Sequence, residues 1–457
     1  MLFWWRSEGV RSQSRTVPAS GPTLTTAWWM SPAWLVALVA IPTLLWAWAV
    51  SPGSYLERWG TPKFITADHV VLGLLSVAAF ILGARLAAHG RARPVNAPLE
   101  LSDAQRKFLL SAARWLFALT LVGYVVWGVL GVSRGLTSAT VANIVEDGNI
   151  ASSLKDGPLA TVAGVTTLTQ VGPIAATCFF VLGRLRAINP YPYLGILLVL
   201  GAARLLLRSE RLALIEIVLP LVVLWLAMPP AGRRPALPNV LKQTLPVWIP
   251  VAAVLLFGAT EYLRSWSSHY RDLGETTYPA FVTDRIGAYY TTGYNNAAML
   301  ETYGSDSRVP YYPLGWLWNF PVVSNVASYE RVAGTTFEGR GLGSLLQSKA
   351  NPEFNNPGGL LMPIYEFGEA GALIFWLGAG VLLGMVYVRF RRGSPGAVLL
   401  YPILVVGALE VPRFFFWTQG RAFPAFAAAL VIGAGLNARR SAQQESVPVN
   451  RSQPVPA

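Results

Sequence analysis

Three arginines interrupt one long apolar run. Arg204, Arg208 and Arg211 stand at i, i+4 and i+7 in LGAARLLLRSERLALIEIV. In a continuous helix that spacing sets all three guanidinium groups on one face. An arginine at mid-membrane costs about 2.5–3.5 kcal/mol on insertion scales, so such residues face a cavity or a partner. The alternative is snorkelling to the headgroups, with Glu210 and Glu216 as partners. A second set, Glu261, Arg264, His269 and Arg271, follows a later apolar run. A third, Glu410, Arg413 and Arg421, follows another, with Phe414, Phe415, Phe416 and Trp417 between. Those four aromatics also suit an interfacial belt. Arginine's planar fork binds phosphate through two parallel hydrogen bonds. Guanidinium groups brought from three helix ends to one membrane face therefore point to a lipid-linked phosphate or pyrophosphate whose head projects outward.

Aromatic and amide side chains add a second chemistry. Tyr289, Tyr290, Tyr294, Asn295 and Asn296 form one cluster, Trp316, Trp318 and Asn319 another, and Asn351, Asn355 and Asn356 a third. Aromatic faces and amides together suit sugars, which have apolar CH faces and many hydroxyls. Ordinary loop packing and turns at Asn and Gly explain each cluster alone equally well. Metal chemistry has no support in the pattern. His69, His89 and His269 are far apart, Cys178 is the single cysteine, and no DxD-type acidic motif is evident. A lone cysteine also excludes a disulfide within the chain.

The elements that must position these residues are membrane spans. The chain has 457 residues, 53% hydrophobic and 13% charged, against about 25% charged in soluble domains. A span needs about 20 mostly apolar residues. Ten stretches qualify or come close: 28–50, 69–89, 110–133, 162–183, 192–208, 211–228, 244–263, 364–388, 395–411 and 422–438. The fifth and sixth are short and share the arginine-rich turn, so they form either two spans or a hairpin that does not fully cross. The expected fold is an all-α polytopic membrane protein of about ten transmembrane helices. Residues 1–27 form a polar tail too long for an ordinary signal-peptide leader, so the first helix is expected to be retained. Helices 1–7 occupy 28–263, helices 8–10 occupy 364–438, and 439–457 is expected to be disordered.

Loop charge gives the direction. With the N-terminus in the cytoplasm, the cytoplasmic segments hold 20 basic residues and four acids: Glu8, Glu100, Asp103 and Glu445. That is the positive-inside bias, so the net charge of +13 is mainly a topology signal and not a nucleic-acid footprint. Both termini come out cytoplasmic, and residues 264–363 come out external, between helices 7 and 8. This segment has seven Arg or Lys, eight Asp or Glu and 16 aromatics. It is too aromatic for a linker and is expected to fold as a cap of short helices and loops.

Several stretches resemble the bacterial O-antigen and oligosaccharide repeat-unit polymerases, which are related to the O-antigen ligases. They are Ser209–Ile215 (SERLALI), ATEYLRS at 259–265, YYTTGYNN at 289–296 and, best, NPEFNNPGGLLMPIYEFGEAGALIFWLGAGVLLGMVY at 351–387. The resemblance covers roughly residues 200–425 in short motifs and shared layout. The family often has Asp where this chain has Glu366. The resemblance implies a fold allied to the C-type glycosyltransferases. It also implies polymerisation of undecaprenyl-pyrophosphate-linked repeat units on the outer face of the bacterial cytoplasmic membrane, without a nucleotide sugar, cofactor or metal, and a chain-length regulator protein as partner.

On that basis Arg211, with Arg208 and Arg264, is expected to hold the pyrophosphate and neutralise leaving-group charge. His269 is expected to take the acceptor proton, with Glu261 or Glu366 as rivals. Arg204, Arg271, Arg413, Arg421, Tyr290, Asn295, Asn296 and Asn355 are the expected substrate-binding residues. Three other readings stay open. A ligase would transfer a finished glycan once and not build a ladder. A flippase or transporter of lipid-linked sugar tends to show internal repeats, and none is visible here. A structural scaffold would need none of the arginines.

Overall fold

The computed structural model describes residues 21–89, 97–146, 154–155, 157–162, 164–208, 210–230, 238–262, 266, 270–271, 276–304, 309–318, 320–336 and 342–445. Twelve helices carry the architecture: α1 (Pro32–Ala49), α2 (Pro52–Trp59), α3 (Ala67–Ala88), α4 (Asp103–Ser133), α5 (Gly172–Arg184), α6 (Tyr191–Arg208), α7 (Arg211–Ala227), α8 (Asn239–Glu261), α9 (Tyr278–Tyr303), α10 (Met362–Arg391), α11 (Pro395–Glu410) and α12 (Phe423–Glu445). Shorter helical segments, such as Val165–Thr169 and Leu342–Lys349, lie between them. Among the described residues the β pairing is one isolated bridge, Thr23 to Pro98.

Local signals set the helix starts. The Ser31 hydroxyl accepts from the Trp34 N–H, with Pro32 at the first helical position of α1. Ser102 and Gln105 form a reciprocal capping box at α4. Among the described residues, seven helices are long and apolar enough to cross a membrane: Pro32–Ala49, Ala67–Ala88, Asp103–Ser133, Val165–Arg184, Tyr191–Arg208, Asn239–Glu261 and Met362–Arg391. The apolar α11 is shorter, at 16 residues. The outer faces of these helices are apolar: Trp115, Val125 and Val129 on α4 and Val247, Leu255 and Leu256 on α8 are all exposed. Charged side chains such as Arg204, Glu261, Arg285 and Glu410 are buried. This inside-out pattern suits a hydrocarbon solvent, where apolar faces cost nothing and ionisable groups turn inward. The chain is an all-helical, multi-pass membrane protein.

Helix packing relies on small residues, as expected where lipid removes the hydrophobic drive between helices. The parallel pair α3 and α10 brings Gly83 against the Leu377 carbonyl and Gly380 against the Phe80 carbonyl, leaving no room for a Cβ on either glycine. Helix α1 runs antiparallel beside them. The bundle thus has two distinct ends. The starts of α3, α7 and α10 and the finishes of α1, α6, α8 and α11 gather at one. Arg85, Lys242 and Arg391 mark the other, the basic end.

Three details differ from the expectations. The interval 264–363 holds not only short segments but the 26-residue helix α9. Its sequence is too polar for a span, so composition hides it. It lies against α1, where the Tyr294 hydroxyl meets the Thr43 hydroxyl at 3.0 Å, and Thr291 and Thr292 satisfy themselves on the carbonyls one turn back. The last helix runs on to Glu445, past the expected limit, because SAQQE contains no helix breaker. The arginine-rich turn breaks the helix at Glu210, whose φ of −92° and ψ of 79° are non-helical. Arg211 therefore starts a new helix, and Arg204, Arg208 and Arg211 do not share one face. Helices α6 and α7 have 18 and 17 residues, or roughly 27 and 26 Å at 1.5 Å per residue, close to the hydrocarbon thickness of about 30 Å.

Candidate functional site

The end opposite the basic loops carries the charged cluster. The break at Glu210 sends the arginines two ways. Arg204 and Arg208 turn back toward α4. Arg204 bonds the Glu210 carboxylate at 2.6 Å and the Thr169 hydroxyl at 2.9 Å, and Arg208 pairs with Glu210 at 3.1 Å. Both guanidinium groups lie over the Trp127 ring, at 5.8 and 5.5 Å. Their side chains are 7% and 2% exposed. Burial pushes the Glu210 carboxyl up, but Arg204, Arg421 and Arg208 outweigh it and hold it below the usual range.

Arg211 turns the other way. It forms an ion pair with Glu261, the fully buried last residue of α8, and lies over the rings of Phe257 at 4.4 Å and Tyr289 at 5.4 Å. Glu261 is shared, since Arg285 of α9 bonds its other oxygen at 3.2 Å and also pairs with Glu353. Tyr289 faces a second arginine: Arg413 lies 5.0 Å from its ring and bonds Glu410 at 2.7 Å. Arg421 makes a two-pronged bond to Glu216 at 2.8 and 3.1 Å. For Arg413 and Arg421 burial opposes the charge, and their carboxylate partners outweigh it, raising both pKa values further.

Among the described residues the cluster thus holds six arginines (204, 208, 211, 285, 413 and 421) and five glutamates (210, 216, 261, 353 and 410). It is not a bare basic pocket. Exposure separates its members. Arg211, Arg413 and Arg421 keep 19%, 21% and 22% of their side chains open, whereas Arg204 and Arg208 are enclosed. A ligand can reach the first three without dismantling the fold. A cavity of about 310 Å³ lies beside Arg421, lined also by Tyr311, Tyr312, Phe414 and Thr418.

The amides expected at the sugar are built into the walls. The Asn295 carbonyl accepts the N–H groups of Phe64 and Ile65, and its NH₂ donates to the Pro62 carbonyl. The Asn296 NH₂ donates to the carbonyls of Phe354 and Asn356. Both side chains are buried, so they splice the 351–357 approach and the α2–α3 connection to α9. Asn351 does the same, donating to the Trp59 carbonyl at 2.9 Å. Asn355 is exposed. Trp316 stacks on Phe423 at 5.2 Å, and Trp318 donates to the Pro310 carbonyl.

Glu366 has a comparable task. Its two oxygens accept the N–H groups of Tyr311 and Tyr312, at 3.0 and 3.2 Å. It sits just before a kink at Gly368, where φ is 71°. The carboxylate therefore pins the wall of the cavity beside Arg421 and has little freedom to take a proton. Tyr290 is half-buried near Arg413 and Glu410, with its pKa raised by burial first and by the Glu410 carboxylate second. Arg271 is exposed. Arg264, His269 and Asn319 lie outside the described residues.

Two functional candidates escaped sequence reasoning: Arg285 and Glu353. Arg285 stands one helical turn before Tyr289. That spacing would have exposed it had α9 been recognised as a helix. Among the described residues no group of His, Cys, Asp or Glu has the arrangement of a metal site. Comparison with protein-family models, with curated proteins and with solved structures finds no match for this chain.

Proposed function

We propose that this protein is a membrane glycosyltransferase that joins undecaprenyl-pyrophosphate-linked oligosaccharide repeat units into a polysaccharide at the outer face of a bacterial cytoplasmic membrane. It would do so through ten spans with both termini inside. The observation that carries the reading is the convergence of Arg211, at the start of α7, and Arg413, in the turn after α11, on the one ring of Tyr289 at the end opposite the basic loops. Both side chains stay partly open, and the arginine fork matches the phosphates of a pyrophosphate.

In this mechanism the acceptor hydroxyl attacks the anomeric carbon of the donor sugar. The bond from that carbon to the pyrophosphate oxygen breaks, and the lipid pyrophosphate leaves with the bonding pair. Arg211 and Arg413 stabilise the charge that builds on it, which is the kind of term that dominates many enzymes. As the pyrophosphate draws Arg211 away, one Glu261 oxygen is released to accept the hydroxyl proton, while Arg285 holds the other. Glu261 is preferred to Glu366 as base because its partners are arginine side chains that a bound pyrophosphate can draw away, whereas both Glu366 oxygens are bonded to backbone.

The test is polymerisation in vitro with purified protein and a lipid-linked repeat unit. Wild type is expected to give a ladder of products, and Arg211→Ala, matched for folded protein, to lose about 10²-fold or more of the rate. Full activity in Arg211→Ala sinks the mechanism. A single addition without a ladder points instead to a ligase.

A further inference from the structure

The basic end of the bundle has its own cavity, of about 220 Å³, between α1, α3 and α10. A water occupies about 30 Å³ of liquid volume, so there is room for a phosphate and part of a glycerol. Arg85 of α3 and Arg391 of α10 both line it. Among the described residues, the lining contains these two guanidinium groups and no carboxylate. The rest of the lining divides by polarity. Ile81, Ala84 and Val388 make an apolar wall, while Ser31 and Tyr387 add hydroxyls.

We propose that this cavity binds the phosphate of an anionic phospholipid, held between Arg85 and Arg391, with the lipid's apolar part along α3 and α10. Four features support it. Two forked donors on different helices suit a phosphate approached from both sides. Helix α1 begins at the cavity, so the positive end of an 18-residue helix adds to the two charges. The flanks face lipid: Leu82 and Leu86, on the same part of α3 as Arg85, are 53% and 52% exposed, and Trp34 at the rim is 46% exposed, as an interfacial indole would be. The walls are also preformed. Gly384 packs on Ala84, and the Tyr401 hydroxyl donates to the Met30 carbonyl just before α1, so little ordering is needed on binding. Basic pockets between helices at such a face are a recognised setting for anionic headgroups. The site lies at the other end from Arg211 and stands whatever reaction that end performs.

The test uses the full-length protein in detergent and follows thermal unfolding with added phosphatidylglycerol, phosphatidylcholine or inorganic phosphate. Native mass spectrometry counts the retained lipid. Phosphatidylglycerol is expected to raise the midpoint with lipid concentration, phosphatidylcholine to do so weakly, and inorganic phosphate not at all. In R85Q/R391Q the phosphatidylglycerol shift and the retained lipid should fall by roughly twofold or more. R440Q, at an exposed arginine outside the cavity, should match wild type. If the double variant shows no cooperative transition, R85Q alone decides, because Arg85 is exposed and its loss leaves the core intact. An undiminished shift in the arginine variants overturns the site. An equal, arginine-dependent shift with inorganic phosphate overturns the lipid as its source.

Discussion

Arg211 and Glu261 form an ion pair that joins the first residue of α7 to the last residue of α8. Glu261 is fully buried and also holds Arg285, so one carboxylate ties three helices at the site. Removing one partner from a buried pair costs about 3–5 kcal/mol, and the remaining openness of Arg211 puts the expected loss at the lower end. Glu261→Gln should lower the unfolding temperature and, under the proposed function, abolish polymerisation. Glu261→Asp should recover part of the stability and little of the rate. Unfolding curves measured beside product ladders would separate the two effects.

The enclosed and open arginines should behave oppositely. Arg208→Ala strands the packing on Trp127 and weakens the hold on Glu210, so it should cost stability, while the folded fraction keeps most of its rate. Arg413→Ala should reduce the rate by about 10²-fold with a smaller change in unfolding temperature. Rates normalised to folded protein decide this, and an equal split between the two variants would remove the distinction drawn from burial.

Glu366 is expected to act on the structure of the cavity wall and not on a proton. Glu366→Gln substitutes an NH₂ for one acceptor oxygen opposite two backbone N–H groups, which should cost about 1–3 kcal/mol. The pH–rate profile of the proposed reaction, measured on the folded variant, should keep its wild-type shape. A lost acid limb in that profile would return Glu366 to the chemistry.

Two glycines in the resemblance region should differ in their sensitivity. Both have left-handed backbone, with φ of 77° at Gly358 and 71° at Gly368, which costs a side-chain-bearing residue roughly 1–2 kcal/mol. Gly368 has open space around it, whereas a Cβ at Gly358 collides with the Gly293 carbonyl on α9. Gly358→Ala should therefore fold poorly, while Gly368→Ala should fold with a modest loss. The yield of monodisperse protein and its unfolding temperature would show the difference.

The Glu210 carboxyl titrates below its ordinary value, so its folded form favours the charged state. Its contribution to stability is complete above the unfolded value, about 4.3 for glutamate, and is lost as pH falls through the lower folded value. Glu210→Gln should lower stability at neutral pH and reduce the further loss seen on acidification. Unfolding temperatures measured from neutral to acid pH, in wild type and variant, test the sign.

The sequence by itself determined the solvent and the helices. Where described, the apolar stretches are helical, and seven helices are long and apolar enough to cross a membrane, because hydrocarbon demands apolar surface and internally bonded backbone. Helix ends were set by the structure: the helix expected from 110 begins at Asp103, capped by Ser102. Arg204, Arg208, Arg211, Arg413 and Arg421 stood out because a charge in an apolar run is costly enough to need a reason. Which of them a ligand can reach was decided only by tertiary structure. The break at Glu210 separates Arg208 from Arg211 by dihedral angles that no local pattern announces. Arg285 and Tyr289 reach Glu261 and Arg413 only because a polar helix lies across the bundle. Asn295 and Glu366 turned from candidate ligands into braces once their backbone partners, distant in sequence, were in place. Composition reports what surface a segment must present, whereas pairing between buried polar groups depends on which segments meet.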